Sequence, residues 1–178
     1  SQASSPADGL PGLARRLVAE GLLAEATARQ AADDAAREGQ SLLGWLLDRQ
    51  WLEESALARA AGAEFGLPLA DLDALDATAL PLDRVGPALV ERHQILPLYL
   101  RERRLFVALA DPLQTEALEE IRFHAGCPVE PVLAERGRLR RAIEQALGRP
   151  GALPALLDEA ALELESVAPS AGADTDAG

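Results

Sequence analysis

Residues 94–134 read QILPLYLRERRLFVALADPLQTEALEEIRFHAGCPVEPVLA, and the punctuation of this stretch decides the fold. Ile95 to Leu100 and Leu105 to Ala110 are apolar runs joined by the charged turn Arg101-Glu102-Arg103-Arg104, the pattern of a short antiparallel hairpin. Asp111-Pro112 closes the second run, because a residue before proline is pushed toward extended geometry and proline suits a helix start. From Gln114 to His124 the apolar residues Ala117, Leu118, Ile121 and Phe123 return at roughly helical spacing, which predicts a helix that Gly126 can end. Val129 to Leu133 reads as a third strand, and a last helix follows from about Arg136 to Leu147. The result is a small α/β layer with a roughly three-stranded sheet, covered on one face by helices.

Upstream the chain is helical and repeats itself. With an offset of 29, Leu13 matches Leu42, Leu17 matches Leu46, Val18 matches Leu47, Glu25 matches Glu54, and Ala31-Ala32 matches Ala60-Ala61. Each half predicts a short helix, a tight corner and a longer helix, so that two helical hairpins pack as a four-helix unit. The first corner is Gly21, where positive φ costs little; the second is Gln50, where it costs more. Leu42, Leu43, Trp45, Leu46 and Leu47 nearly surround their helix, which marks it as central or as half of an interface. Ala28, Ala31, Ala32 and Ala35 give the preceding helix an apolar face that buries little area, so it is expected to be the least firmly held.

The full division is a lead-in at 1–9, a helical unit at 10–66, a proline- and aspartate-rich connector at 67–93, the α/β unit at 94–148, and an acidic helix with linker at 149–178. The connector is expected to drape along the α/β layer with one or two short extended pieces, before a helix from about Pro87 to His93. The fold class is α+β.

Composition narrows the function. The chain of 178 residues carries a net charge of −12, which argues against nucleic-acid binding and against broad attraction to anionic lipid. Its apolar runs fall short of the roughly 20 residues that cross a bilayer, so direct membrane insertion is not expected. Every one of its 17 basic residues is arginine. A Walker A loop needs a lysine behind its glycines to hold the nucleotide's phosphates, so this stretch is not expected to hydrolyse ATP. Asp111 stands at a strand end without a histidine, second acid or metal ligand at a recognisable spacing, and capping the next helix is its expected role. His93, His124 and the lone Cys127 form no metal motif, and no cofactor is expected.

A strand ending in V-A-L-A-D-P-L, a helix carrying A-L-E-E-I-R-F and then G-C-P-V-E-P-V-L-A together closely resemble the N-terminal domain of type II secretion and type IV pilus assembly ATPases, the GspE/PilB group, also called MshEN. Glu64-Phe65-Gly66-Leu67-Pro68 and Ile95-Leu96-Pro97-Leu98 extend the resemblance, which covers about residues 10 to 148. It implies a non-catalytic docking or regulatory domain, cytoplasmic and peripheral to the inner membrane. Its partners would be the cytoplasmic part of a membrane-anchored, GspL-like assembly-platform protein and an ATPase domain of the same chain, beyond these residues. Docking is expected through the helical unit, with Leu43, Trp45, Leu47 and Trp51 as candidates, Trp45 leaning to core and Trp51 to interface, and through Arg136 and Arg140 of the last helix.

The resemblance also implies an alternative, a module that senses cyclic di-GMP through the repeats. Members that bind it carry an R-L-G start, a leucine, a glycine corner and a closing glutamine in each repeat. Here Gly12-Leu13-Ala14, Leu17, Gly21 and Ala35 stand at those positions in the first repeat, and Ser41-Leu42-Leu43, Leu46, Gln50 and Glu64 in the second. Both arginines and both glutamines are gone, and Glu64 brings a charge that repels phosphate.

Overall fold

The computed structural model describes residues 10–148. The lead-in at 1–9, the acidic helix expected near Leu153–Val167 and the linker after it lie outside the described residues.

Four helices form first: α1 Gly12–Ala19, α2 Glu25–Arg37, α3 Leu42–Arg49 and α4 Glu54–Phe65. The offset of the repeat is reproduced by α2 and α4, whose first residues are Glu25 and Glu54. Both corners turn through left-handed backbone, with φ of 73° at Gly21 and 54° at Gln50. Gln50 therefore adopts a conformation that its β-carbon disfavours, because the packing of α3 and α4 requires the same tight reversal in both halves. Leu17, Leu43, Leu46 and Leu57 are fully buried, and Ala31, Ala35, Ala60 and Ala61 let the helices approach closely around them.

After α4 the connector makes one short extended piece, at Leu69, and then three 3₁₀ turns that were not expected, Leu72–Ala74, Ala77–Ala79 and Leu82–Arg84. A single bridge, Leu69 to Leu133, is the only ladder-type pairing it makes among the described residues. Asp76 explains one turn: its carboxylate accepts from the Thr78 amide at 3.0 Å and the Thr78 hydroxyl at 2.6 Å. These two bonds, the hydroxyl first, hold its pKa below the usual carboxylate value. Leucines three apart, Leu72 and Leu75, then face the α/β core together, as the threefold 3₁₀ period dictates.

Helix α5 spans Pro87–His93, with proline at its start. Strands β1 Leu96–Arg101 and β2 Arg104–Leu109 pair antiparallel, and β3 Val129–Leu133 joins β2 in parallel after helix α6 Thr115–Ala125. Helix α7, Arg136–Ala146, completes the layer. The sheet order is β1-β2-β3. Pro97 lacks an amide proton, and a register shift lies between Pro97 and Tyr99. Both features blunt the outer strand against pairing with another sheet. In α6 the core face is Ala117 and Ile121, one turn apart. Phe123, two residues beyond, falls on the opposite side and is 84% exposed, so it is not part of the buried stripe its spacing suggested.

The helical and α/β units share a core. Leu133, the last residue of β3, is buried among Leu43, Leu46, Leu57 and their neighbours of the helical unit. Four hydrogen bonds cross the same seam. The Ser41 hydroxyl donates to Asp111 at 2.6 Å, Arg136 donates to Asp48 at 2.6 Å and to the Leu47 carbonyl at 2.7 Å, and the Gly137 amide donates to Glu54 at 2.9 Å.

Candidate functional site

Helix α3 is the element around which the candidate site is arranged. Ser41 caps it, its Oγ accepting from the Gly44 amide at 3.0 Å, and Gln50 ends it in the left-handed turn. Of the candidate docking residues, Leu43 and Trp45 are buried in the core of the helical unit, Trp45 as it was expected to lean, and Leu47 is buried there too, with only its edge reaching the seam cleft. Three neighbours explain this: α1, α2 and α4 all pack on α3, and Leu133 and Ala110 of the α/β unit join the same core. A helix surrounded on most sides needs apolar residues most of the way round.

Trp51 is different. It follows the corner, is 43% exposed, and meets Trp45 edge-on with ring centroids 4.8 Å apart. The Arg49 guanidinium lies 4.9 Å from the Trp45 ring centre and donates to Glu38 at 2.7 Å. Trp45 is 2% exposed and its Nε1 has no partner, so it acts as an apolar floor under Trp51 and Arg49. Aromatic residues make up 3% of the chain, and one of its two tryptophans stands exposed at a corner, backed by the other. Tryptophan and arginine at such a spot are the residue types that dominate binding energy at protein interfaces.

Beside this corner a cleft of about 690 Å³ opens along the seam between the two units. Its wall includes Asp48 from α3, Arg92 and His93 from α5, Asp111 after β2, and Arg136 and Arg140 from α7. Asp111 does not cap α6, the role expected from its place before Pro112; that helix starts at Thr115, four residues after Asp111. Asp111 instead accepts from the Leu113 amide at 3.0 Å with one oxygen and from Ser41 with the other, joining the β2–α6 turn to the α3 cap. His93 and Arg92 reach Glu120 at 2.7 and 3.4 Å. The His93 bond is the main cause holding the Glu120 carboxyl below its ordinary pKa. Arg140 borders the cleft and is exposed, whereas Arg136 is committed to Asp48 and Leu47.

The positions that carry the cyclic di-GMP alternative are placed as follows. Leu13, Leu17 and Leu46 are buried in the helical core, and Leu42 is half-buried. Gly12 opens α1, and a β-carbon there would overlap the Glu64 carboxylate. Glu64 accepts from Arg16 Nε at 2.9 Å, a bond that is the largest cause raising the Arg16 pKa. The start of the first repeat is therefore covered by an internal acid–arginine pair, and the start of the second, Ser41, is bonded to Asp111. Among the described residues no group of three or more histidine, cysteine or acidic side chains could hold a metal ion. No helix among them is long and apolar enough to cross a membrane.

Sequence reasoning missed the cleft because its residues come from four separated segments, 40–48, 92–94, 110–114 and 136–140. The signals that could have found it were the acid at the end of β2 and the arginines of α7, which the β2–α6–β3 crossover brings to the same end of the sheet.

Comparison with known proteins agrees with this architecture. The MshEN domain model matches residues 65–153. The type IV pilus assembly ATPase PilB of Pseudomonas aeruginosa is 36% identical over 136 residues, 76% of this chain and 24% of its own length. PilB of Acinetobacter baylyi is 32% identical over 134 residues, 75% of this chain and 23% of its own. The chain thus spans about a quarter of the length of the curated relatives it matches. A solved structure of MshE with cdg superimposes with a TM-score of 0.62 at 25% identity, covering 75% of this chain and 97% of that one. The N-terminal domain of XpsE gives 0.62 at 21% identity, over 80% and 97% of the two chains, a likeness of fold. The chain belongs to the MshEN domain family.

Proposed function

We propose that this chain is the N-terminal, non-catalytic part of a pilus or secretion assembly ATPase, and that it docks the motor onto the cytoplasmic part of a membrane-anchored assembly-platform protein. It would then lie in the cytoplasm, held at the inner membrane through that partner, with the ATPase domain of the same chain beyond it. Support comes from relatives that are type IV pilus assembly ATPases and from the absence of lysine, which leaves no Walker A loop in these residues. The observation that carries the docking reading is Trp51, exposed at the α3–α4 corner against the buried Trp45 ring, over which Arg49 also lies.

The test is a pull-down of the platform protein's cytoplasmic domain from the same organism. Trp51→Ala is expected to weaken capture by about 2 kcal/mol or more, roughly thirtyfold, while circular dichroism stays native. A folded Trp51→Ala variant that captures the platform normally removes Trp51 as the anchor.

A second reading, cyclic di-GMP sensing, is favoured by the likeness to MshE with cdg. The Glu64–Arg16 pair over Gly12 opposes it here, since a dinucleotide phosphate would have to displace a carboxylate. A bound ligand at 100 times its dissociation constant adds about 2.7 kcal/mol of stability. Cyclic di-GMP is expected to leave the melting temperature unchanged; a rise of several degrees at micromolar ligand would replace the docking reading with the sensor.

A further inference from the structure

The corner that presents Trp51 is held from the α/β unit, by the first turn of α7. Helix α3 ends at Arg49 and helix α4 begins at Glu54, and Trp51 lies between them. The last carbonyls of one helix and the first amides of another have no partner within their own helix. Arg136 answers the α3 end: its Nη2 donates to the Leu47 carbonyl at 2.7 Å and its Nη1 to Asp48 at 2.6 Å. A guanidinium at that place also meets the negative end of the α3 dipole. On the far side of the corner, the Glu54 carboxylate accepts from the Gly137 amide at 2.9 Å. That amide is one of those that open α7, whose own N-cap residue, Glu135, makes no side-chain cap. Two consecutive residues of α7 therefore take hold of the chain just before Trp51 and just after it.

The contact at position 137 is close. A β-carbon there would lie 3.1 Å from Glu54 Oε2, so any larger residue must displace the carboxylate by a few tenths of an ångström. The first repeat uses the same place differently. Glu25, which stands where Glu54 does, pairs with Arg29 of its own helix at 3.1 Å. Its corner turns at Gly21, whereas the Trp51 corner turns at Gln50, in left-handed backbone that a β-carbon disfavours. Strained backbone persists where its surroundings over-determine it. The costlier of the two corners is the one that α7 holds, and it is the one that bears the exposed tryptophan.

We propose that Arg136 and Gly137 are positioning residues for the Trp51 corner, and that a partner seated on Trp51 is coupled through them to α7. This rests on the docking reading and deepens it, by naming how the docked corner acts on the rest of the chain. An anchor fixed before its partner arrives loses less freedom on binding, so the clamp raises affinity. Coupling of this kind is reciprocal. A partner that favours the clamped corner also favours the clamped start of α7, the last described helix before the chain runs on toward residue 178.

The experiment uses the full 178-residue chain carrying Trp45→Phe, which leaves Trp51 as its sole tryptophan. Time-resolved fluorescence anisotropy then reads the fast local motion of Trp51 without any partner, and capture of the platform's cytoplasmic domain reads affinity. Glu54→Ala and Arg136→Ala, each opening one side of the clamp, are expected to enlarge that motion and to weaken capture about threefold to tenfold, with native circular dichroism. Glu54→Gln is expected to restore both, because its side-chain carbonyl can still accept from the Gly137 amide. Glu25→Ala, the equivalent change in the first repeat, is expected to alter neither. Unchanged Trp51 motion in both clamp variants, or an equal change in Glu25→Ala, overturns the clamp. Enlarged motion with capture undiminished overturns the coupling and leaves the docking reading standing. A parent chain that captures no platform domain removes the docking reading and the coupling with it, while the partner-free motion still decides the clamp.

Discussion

Trp45→Ala melts the domain early. The side chain is 2% exposed at the centre of the helical unit, packed with Leu43, Leu46, Leu57 and Leu133. Its removal leaves a cavity that helices already in contact through alanines cannot close, so the expected cost is about 3 to 5 kcal/mol. For a chain of this size that is a drop on the order of 10 °C in Tm by calorimetry. Trp45→Phe should cost much less, because the Nε1 group it deletes has no hydrogen-bond partner to lose. If Trp45→Ala leaves the melting temperature within about 2 °C of the parent, the aromatic floor beneath Trp51 is not structural and the account of α3 as a surrounded helix fails.

Leu133→Ala tests whether the two units fold as one. Leu133 ends a strand of the α/β sheet yet is 1% exposed within the helical core, and the Leu69 bridge pairs with it from the connector. A large cost, about 2 to 5 kcal/mol, is expected with a single transition, because the cavity opens under both units. Two separated transitions, one at the parent temperature, would show instead that the helical and α/β units hold themselves together independently.

What the sequence made legible was local and periodic. Pro87 at a helix start, Gly126 at a helix end with a left-handed φ of 65°, and Val129–Leu133 between Pro128 and the next helix were each written in punctuation that fixes the backbone directly. The repeat could be seen because a helical hairpin must bury the same leucines each time it recurs. Longer-range facts were out of reach. Phe123 counted as apolar at roughly helical spacing, and only its angle relative to Ile121 sends it to solvent. Leu43 and Leu47 seemed surplus because nothing in the sequence says that Leu133 arrives from 86 to 90 residues away to cover that side of α3. Asp111 looked like a cap because the next helix is near in sequence, while the partner that claims it, Ser41, is separated by 70 residues. Of the candidate docking residues, Trp51 and Arg140 reach the surface with groups to offer, and no periodicity rule separates them from the others.

Hydrogen–deuterium exchange of the full chain, with and without the purified cytoplasmic domain of the platform protein, tests the central claim most directly. Bound partner is expected to slow exchange at the α3–α4 corner, residues 48–53, and at the start of α7, residues 136–141, with α1 and the start of α2 unchanged. Protection confined to α1 and the first repeat, or no protection at saturating partner, would contradict a docking surface built on Trp51.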